Sequence, residues 1–229
     1  ICIRDCLFSS HTDIEAAALL CATIAWGKRS MICRNCQRML DIMDNRPTDY
    51  ILSGEFETLA DEKNIHRTFF NANFKHWLRG LQRIFKTYGS VEGLVKSKDI
   101  ANSKAPAWEL AAALNAELAA ANDGCADSRC LPLNLQNTAL KRLNMALRWL
   151  VRRDGIVDLG IWDSVKPSQL YIPLDVHVGN TARGLGLLDR RSNDRRAVEE
   201  LTATLRDLRP DDPTFYDFAL FGIGVTGKL

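Results

Sequence analysis

One stretch restricts the fold of this chain more than any other. Between Asn73 and Tyr88, the residues Phe74, Trp77, Leu78, Leu81, Ile84, Phe85 and Tyr88 recur at steps of three and four. That is the period of an α-helix with one buried face, and Gly89 closes it in the left-handed position that favours glycine. The pattern predicts a helix over 73–88. The alternation of apolar and polar residues that marks a half-buried strand is almost absent elsewhere, so the chain reads as all-α, a helical bundle.

The other helices follow from local signals. Thr12-Asp13-Ile14-Glu15 is a capping box before an alanine-rich apolar run that ends at Gly27. A second helix, Lys28 to Asp44, places Met31, Ile32, Cys36, Met39, Leu40 and Met43 on one face and Lys28, Arg29, Arg34 and Arg38 on the other, with Pro47 as its stop. Short helical pieces are expected over Thr48–Ser53 and Glu57–Glu62, and Ile65 to Phe70 reads as a loop. Ser90 caps a short helix, Lys96 to Lys104 is a polar connection, and Pro106 suits the first turn of an alanine-rich helix from Ala105 to Asn122. After a turn region at 125–136, a helix capped near Asn137 runs to Arg153 with Leu140, Leu143, Leu147 and Leu150 buried. The expected organisation is one two-lobed domain, the N- and C-terminal helices forming one lobe and the central helices, about 48–155, the other.

Composition bounds the function. With 229 residues and 46% hydrophobic content the chain can bury a full core. A net charge of +2 is only mildly basic, so any nucleic-acid contact must come from local clustering of Lys and Arg. The longest apolar run, Ala16 to Trp26, is too short to span a bilayer, and no secretory h-region accompanies Arg4 and Asp5. We expect a cytoplasmic monomer without a membrane segment. Seven cysteines form no regular framework and read as reduced thiols. Cys33 and Cys36 lie within a helical pattern with no second ligand pair, so no metal is expected, and no cysteine follows Cys130 to hold a C-terminal iron–sulfur cluster. No cofactor is implied.

Two residues stand out chemically. Asp175 ends the extended approach Ile172-Pro173-Leu174 and falls at the mouth of a helix running from Val176 to Leu188. A carboxylate there accepts hydrogen bonds from free N–H groups, either as a plain cap or as a fixed negative charge facing a pocket. Lys141 falls in the first turn of the helix that begins near Asn137, where the helix dipole and Arg142 disfavour an ammonium. It is either a solvated surface lysine or an amine nucleophile.

The segments Ala25-Trp26-Gly27, His66-Arg67-Thr68-Phe69, Lys141-Arg142-Leu143-Asn144, Gly160-Ile161-Trp162, Ile172-Pro173-Leu174-Asp175-Val176-His177 and Tyr216-Asp217-Phe218-Ala219-Leu220-Phe221-Gly222 together resemble an uncharacterised bacterial family of unknown function over most of the chain. More distantly, that family resembles the helix-hairpin-helix DNA glycosylase superfamily. There a V-D-x-H segment supplies a catalytic aspartate, and a lysine on the preceding hairpin helix attacks the sugar. Asp175 and Lys141 would take those roles, at a separation longer than in endonuclease III-like members and closer to the archaeal 8-oxoguanine branch. Leu131-Pro132-Leu133-Asn134-Leu135 stands where the superfamily usually has L-P-G-x-G, without its two glycines.

The resemblance implies a two-lobed helical fold that binds duplex DNA and removes a damaged base flipped from the stack. Trp26 would stack that base or belong to the core. Arg29 and Arg142 would meet the DNA backbone as part of a basic face that also draws on Arg34, Arg38, Arg183, Arg190 and Arg191. His177 would bond to phosphate or orient its loop. The alternative is a non-catalytic nucleic-acid or protein binding module on the same fold.

Overall fold

A computed structural model of the chain describes residues 8, 10–154 and 156–227. It is mostly helical, with a single two-stranded antiparallel ladder among the described residues. By internal contacts it divides into two units, one of residues 1–103 with 109–133, the other of 104–108 with 134–229. The N- and C-terminal helices therefore fall in different units, a division drawn differently from the lobes expected above. No helix among the described residues is long and apolar enough to cross a membrane.

The first unit contains α1 (His11–Thr23), α2 (Arg29–Ile42), α3 (Pro47–Ser53), β1 (Asn64–His66), β2 (Phe69–Phe70), α4 (Asn71–Tyr88), α5 (Val91–Ser97) and α6 (Pro106–Ala120) from Glu109 onward. Helix α1 is buried on nearly all sides from Ala16 to its end at Thr23, as its alanine-rich apolar run requires. Its cap is Ser10, whose hydroxyl accepts from the Asp13 amide at 3.1 Å, and not Thr12. The acids of the expected capping box act at a distance instead. Asp13 accepts from the Thr48 amide at 2.8 Å. Glu15, fully buried, accepts from the Val91 and Glu92 amides at 2.8 and 2.9 Å, so its charge rests on the start of α5. Helix α4 buries Phe74, Trp77, Leu78, Leu81, Ile84 and Phe85 as its period predicts, each such side chain contributing about 1.5–3 kcal/mol. The segment read as a loop is a hairpin, made possible by Arg67 at φ 53°, and the helical piece expected over Glu57–Glu62 is a 3-10 turn at Glu55–Thr58.

The second unit contains α7 (Lys141–Val151), α8 (Val176–Gly184), α9 (Arg195–Leu208) and α10 (Asp217–Thr226). Helix α7 is shorter than expected at its start, because residues 131–140 form turns and no helix. Leu140, Leu143, Leu147 and Leu150 are buried as predicted. The chain after α7 folds back on it: Leu159 and Gly160 donate to the Trp149 carbonyl and Trp162 donates to that of Leu150. Helices α8 and α10 pack closely at Gly224, where an added Cβ would lie 2.8 Å from the His177 carbonyl oxygen and from Thr181 Oγ1.

Candidate active site

Asp175 is the N-cap of α8, as the sequence predicts. Its Oδ1 accepts from the Val178 amide at 3.0 Å, while the Asn193 side-chain amide donates to its carbonyl at 3.2 Å. The side chain is half-buried, so one carboxylate oxygen is fixed by the helix start and the group keeps access to solvent.

Lys141 is the first residue of α7 rather than one turn inside it. Leu140 before it sits at φ 48°, ψ 32°, a conformation that costs an ordinary L-residue about 1–2 kcal/mol. Burial of the Leu140 side chain holds that strained turn, and the turn fixes where the Lys141 backbone starts. Lys141, Asn144 and Arg148 follow at i, i+3 and i+7 and share one stripe of the helix. Asn144 is buried. Its amide donates to the Ala139 carbonyl at 3.1 Å, and its Oδ1 has no hydrogen-bond partner among the described residues, like Arg148 Nε.

Arg148 leads to a residue the sequence analysis did not single out. Its Nη1 donates to Asp217, the first residue of α10, and its Nη2 donates to Asp158 at 3.2 Å. The exposed ring of Phe218 covers the guanidinium at 3.8 Å. Burial pushes the Asp217 carboxyl above its ordinary range; Arg148 pulls it back, Asp175 pushes it further up and Lys141 pulls it down. Lys141 and Asp175 thus both lie within electrostatic reach of one buried carboxyl. The network continues to Arg152, which donates to Asp158 and, at 2.8 Å, to Asp212. Burial pushes Asp158 up to about 6 against the pull of both guanidiniums. Two guanidiniums, Arg148 and Arg152, thus hold three carboxylates, Asp158, Asp212 and Asp217, and Asp154 adds a further negative charge to the field at Asp158.

The remaining predicted residues have separate settings. His177 is exposed, its Nδ1 lies 3.2 Å from the Gly224 carbonyl oxygen, and its ring meets Phe221 edge-on, so it ties α8 to α10. Arg142 is half-buried beside Lys141. Trp26 and Arg29 belong to the first unit. Trp26 is half-buried, with its ring edge-on to His66 at 4.7 Å and its carbonyl 2.8 Å from His66 Nε2. Arg29, Arg34, Arg38 and Arg67 are exposed there and form no ion pair among the described residues. Arg183 and Arg190, expected on the basic face, have local partners. Arg183 donates to the Arg190 carbonyl and to Asn193, and Arg190 is paired twice with Asp194. The second unit also holds a cavity of about 540 Å³ lined by Arg152, Trp162, Lys166, Arg209 and Asp212 among others, and none of the predicted site residues lines it.

The class these observations define is an all-α protein in which Lys141, Asp175 and Asp217 stand at the starts of helices α7, α8 and α10 of the second unit. The chain belongs to a family described as a protein of unknown function, DUF2400, whose model matches residues 4–226. No curated protein and no solved structure matches it.

Proposed function

We propose that this protein is a DNA repair glycosylase or glycosylase/lyase of the helix-hairpin-helix type. It acts on a damaged base flipped from duplex DNA, with Lys141 as nucleophile and Asp175 as electrostatic stabiliser. The observation that supports the reading is the Asp175 carboxylate, held by the Val178 amide at the start of α8 yet half-open to solvent, with Lys141, 34 positions earlier, at the start of α7 in the same unit. Base excision develops positive charge on the sugar, and a carboxylate fixed by a helix start stabilises that charge without reorganising. The Lys141 amine would capture the anomeric carbon and form the imine through which a lyase nicks the strand.

Substitution at Asp175 separates capping from chemistry. Asn keeps the oxygen that accepts from Val178 and should hold stability within about 0.5 kcal/mol, whereas Ala should cost about 0.5–2 kcal/mol. On duplexes bearing 8-oxoguanine, uracil, alkylated bases or an abasic site, Asp175→Asn should fold normally and lose excision by orders of magnitude. Excision by Asp175→Asn at the rate of the unsubstituted protein would reduce Asp175 to a cap. Failure of the unsubstituted protein on every duplex would leave the binding module as the better reading.

A further inference from the structure

The cavity of the second unit has a lining that the glycosylase reading leaves unused. Its walls come from the end of α7, from the returning segment around Trp162 and Lys166, and from the turn after α9. Its volume of about 540 Å³ is that of a small-molecule site, for which about 300–1,000 Å³ is usual. Part of the lining is apolar, formed by the buried Val151, Trp162 and Val165. The rest is charged, and its charges are unevenly matched. Arg153 is committed, since Nη2 donates to Asp163 at 2.6 Å and Nε to the Gly160 carbonyl at 2.8 Å. Arg152, with a side chain only 10% exposed, donates from Nε to Asp212 and from Nη1 to Asp158. Those two bonds fix its guanidinium in the wall and leave Nη2 without a hydrogen-bond partner among the described residues. Lys166 and Arg209 pair with no carboxylate among the described residues. The Arg209 guanidinium stacks on the Phe215 ring at 3.8 Å, which sets its plane and leaves its N–H edge to donate within that plane. Of the lining acids, Asp163 and Asp212 are paired and Asp211 is exposed. Two uncompensated cations and the open edge of Arg152 therefore stand against one solvated carboxylate.

We infer that this cavity is a binding site for a small phosphate monoester with an apolar or aromatic body. Its phosphoryl oxygens accept from Arg209, Lys166 and Arg152 Nη2, and three cationic donor groups match the three oxygens of a phosphoryl group better than the two of a carboxylate. The body of the ligand covers Val151, Trp162 and Val165. A DNA strand is the poorer occupant. The exposed carboxylates of Asp163 and Asp211 would face the neighbouring phosphates of a strand and repel them, whereas a single terminal phosphate brings no neighbours. The inference does not depend on the glycosylase reading, because Lys141, Asp175 and Asp217 do not line this cavity.

Phenyl phosphate is the probe, and phenol and benzoate are the controls that lack its phosphoryl group. Titration calorimetry on the unsubstituted protein, Lys166→Gln and Arg209→Gln should show one phenyl phosphate bound per chain, about tenfold more weakly in each variant, with phenol and benzoate much weaker throughout. Phenyl phosphate should also protect Lys166 from reductive methylation, mapped by peptide mass, and leave the exposed Lys86 of the first unit unprotected. No binding at millimolar probe, undiminished binding in both variants, or equal protection of Lys86 overturns the proposal. Benzoate bound as tightly as phenyl phosphate overturns the choice of phosphate. Displacement of phenyl phosphate by duplex DNA, with the duplex lost in both variants, would make the cavity a strand contact and overturn the proposal as well. Lys166 is exposed, so Lys166→Gln decides alone if Arg209→Gln fails to fold without its stacking on Phe215.

Discussion

Asp158 is where burial and ion pairing oppose each other most sharply, and Asp158→Asn measures which wins. The carboxyl is inaccessible to solvent; one oxygen accepts from Arg148 and Arg152, and the other has no hydrogen-bond partner among the described residues. Its pKa is raised from 3.8 to about 6, so the folded state binds a proton that the unfolded state releases between those values. Stability from this group is therefore fully present below the unfolded pKa and lost as pH rises through the folded one. The full loss is about 3 kcal/mol, from 1.36 kcal/mol per pKa unit, and roughly 2 kcal/mol of it falls between pH 4.5 and 7. Asparagine does not titrate. Urea unfolding of both proteins across pH 4.5–8 should show the difference moving in favour of Asp158→Asn by roughly 2 kcal/mol over that window. Taking the difference cancels other groups, including Asp194, whose hydrogen bonds from Arg190 hold it at about 2. A pH-independent difference, or one moving against Asn as pH rises, would mean that the two arginines keep Asp158 ionised throughout and outweigh its burial.

Gly224→Ala should push α8 from α10 and cost about 1–3 kcal/mol in a thermal melt. Gly222→Ala, whose new methyl would meet nothing within 4 Å, should be neutral or stabilising by about 0.5–1 kcal/mol, and equal costs at both positions would refute the close contact. Duplex DNA binding should weaken steeply with salt. The double substitution Arg34→Glu and Arg38→Glu should lower affinity and flatten the log–log slope by about 2, whereas a slope unchanged by it would remove α2 from the contact surface.

The legible parts of this chain were those set by neighbouring residues. Asp175 was readable as a cap because Pro173 enforces extension just before an apolar helical run, and α4 because its period is uninterrupted. What escaped was made by contacts between distant residues. Thr12-Asp13-Ile14-Glu15 has the spacing of a capping box, but its acids are drawn to the Thr48 amide and to the start of α5, which leaves Ser10 to cap α1. Nothing local announces that Arg67 turns a hairpin, or that Leu140 adopts a left-handed backbone and delays the start of α7. Asp217 was visible only as part of Tyr216-Asp217-Phe218. Its partner Arg148 offered a signal: a charge one residue after Leu147 and two before Leu150, in a buried helix, implies a buried counter-charge that only the fold could identify.

The most direct test of the central claim is borohydride trapping on a duplex with a single abasic site. The account predicts a covalent protein–DNA adduct whose cross-linked peptide carries the sugar remnant on Lys141, lost in Lys141→Ala and formed at a much reduced rate in Asp175→Asn. An adduct of undiminished yield in Lys141→Ala would place the nucleophile elsewhere. No adduct at all from the unsubstituted protein, at a salt concentration where it binds the duplex, would contradict the lyase chemistry assigned to this site.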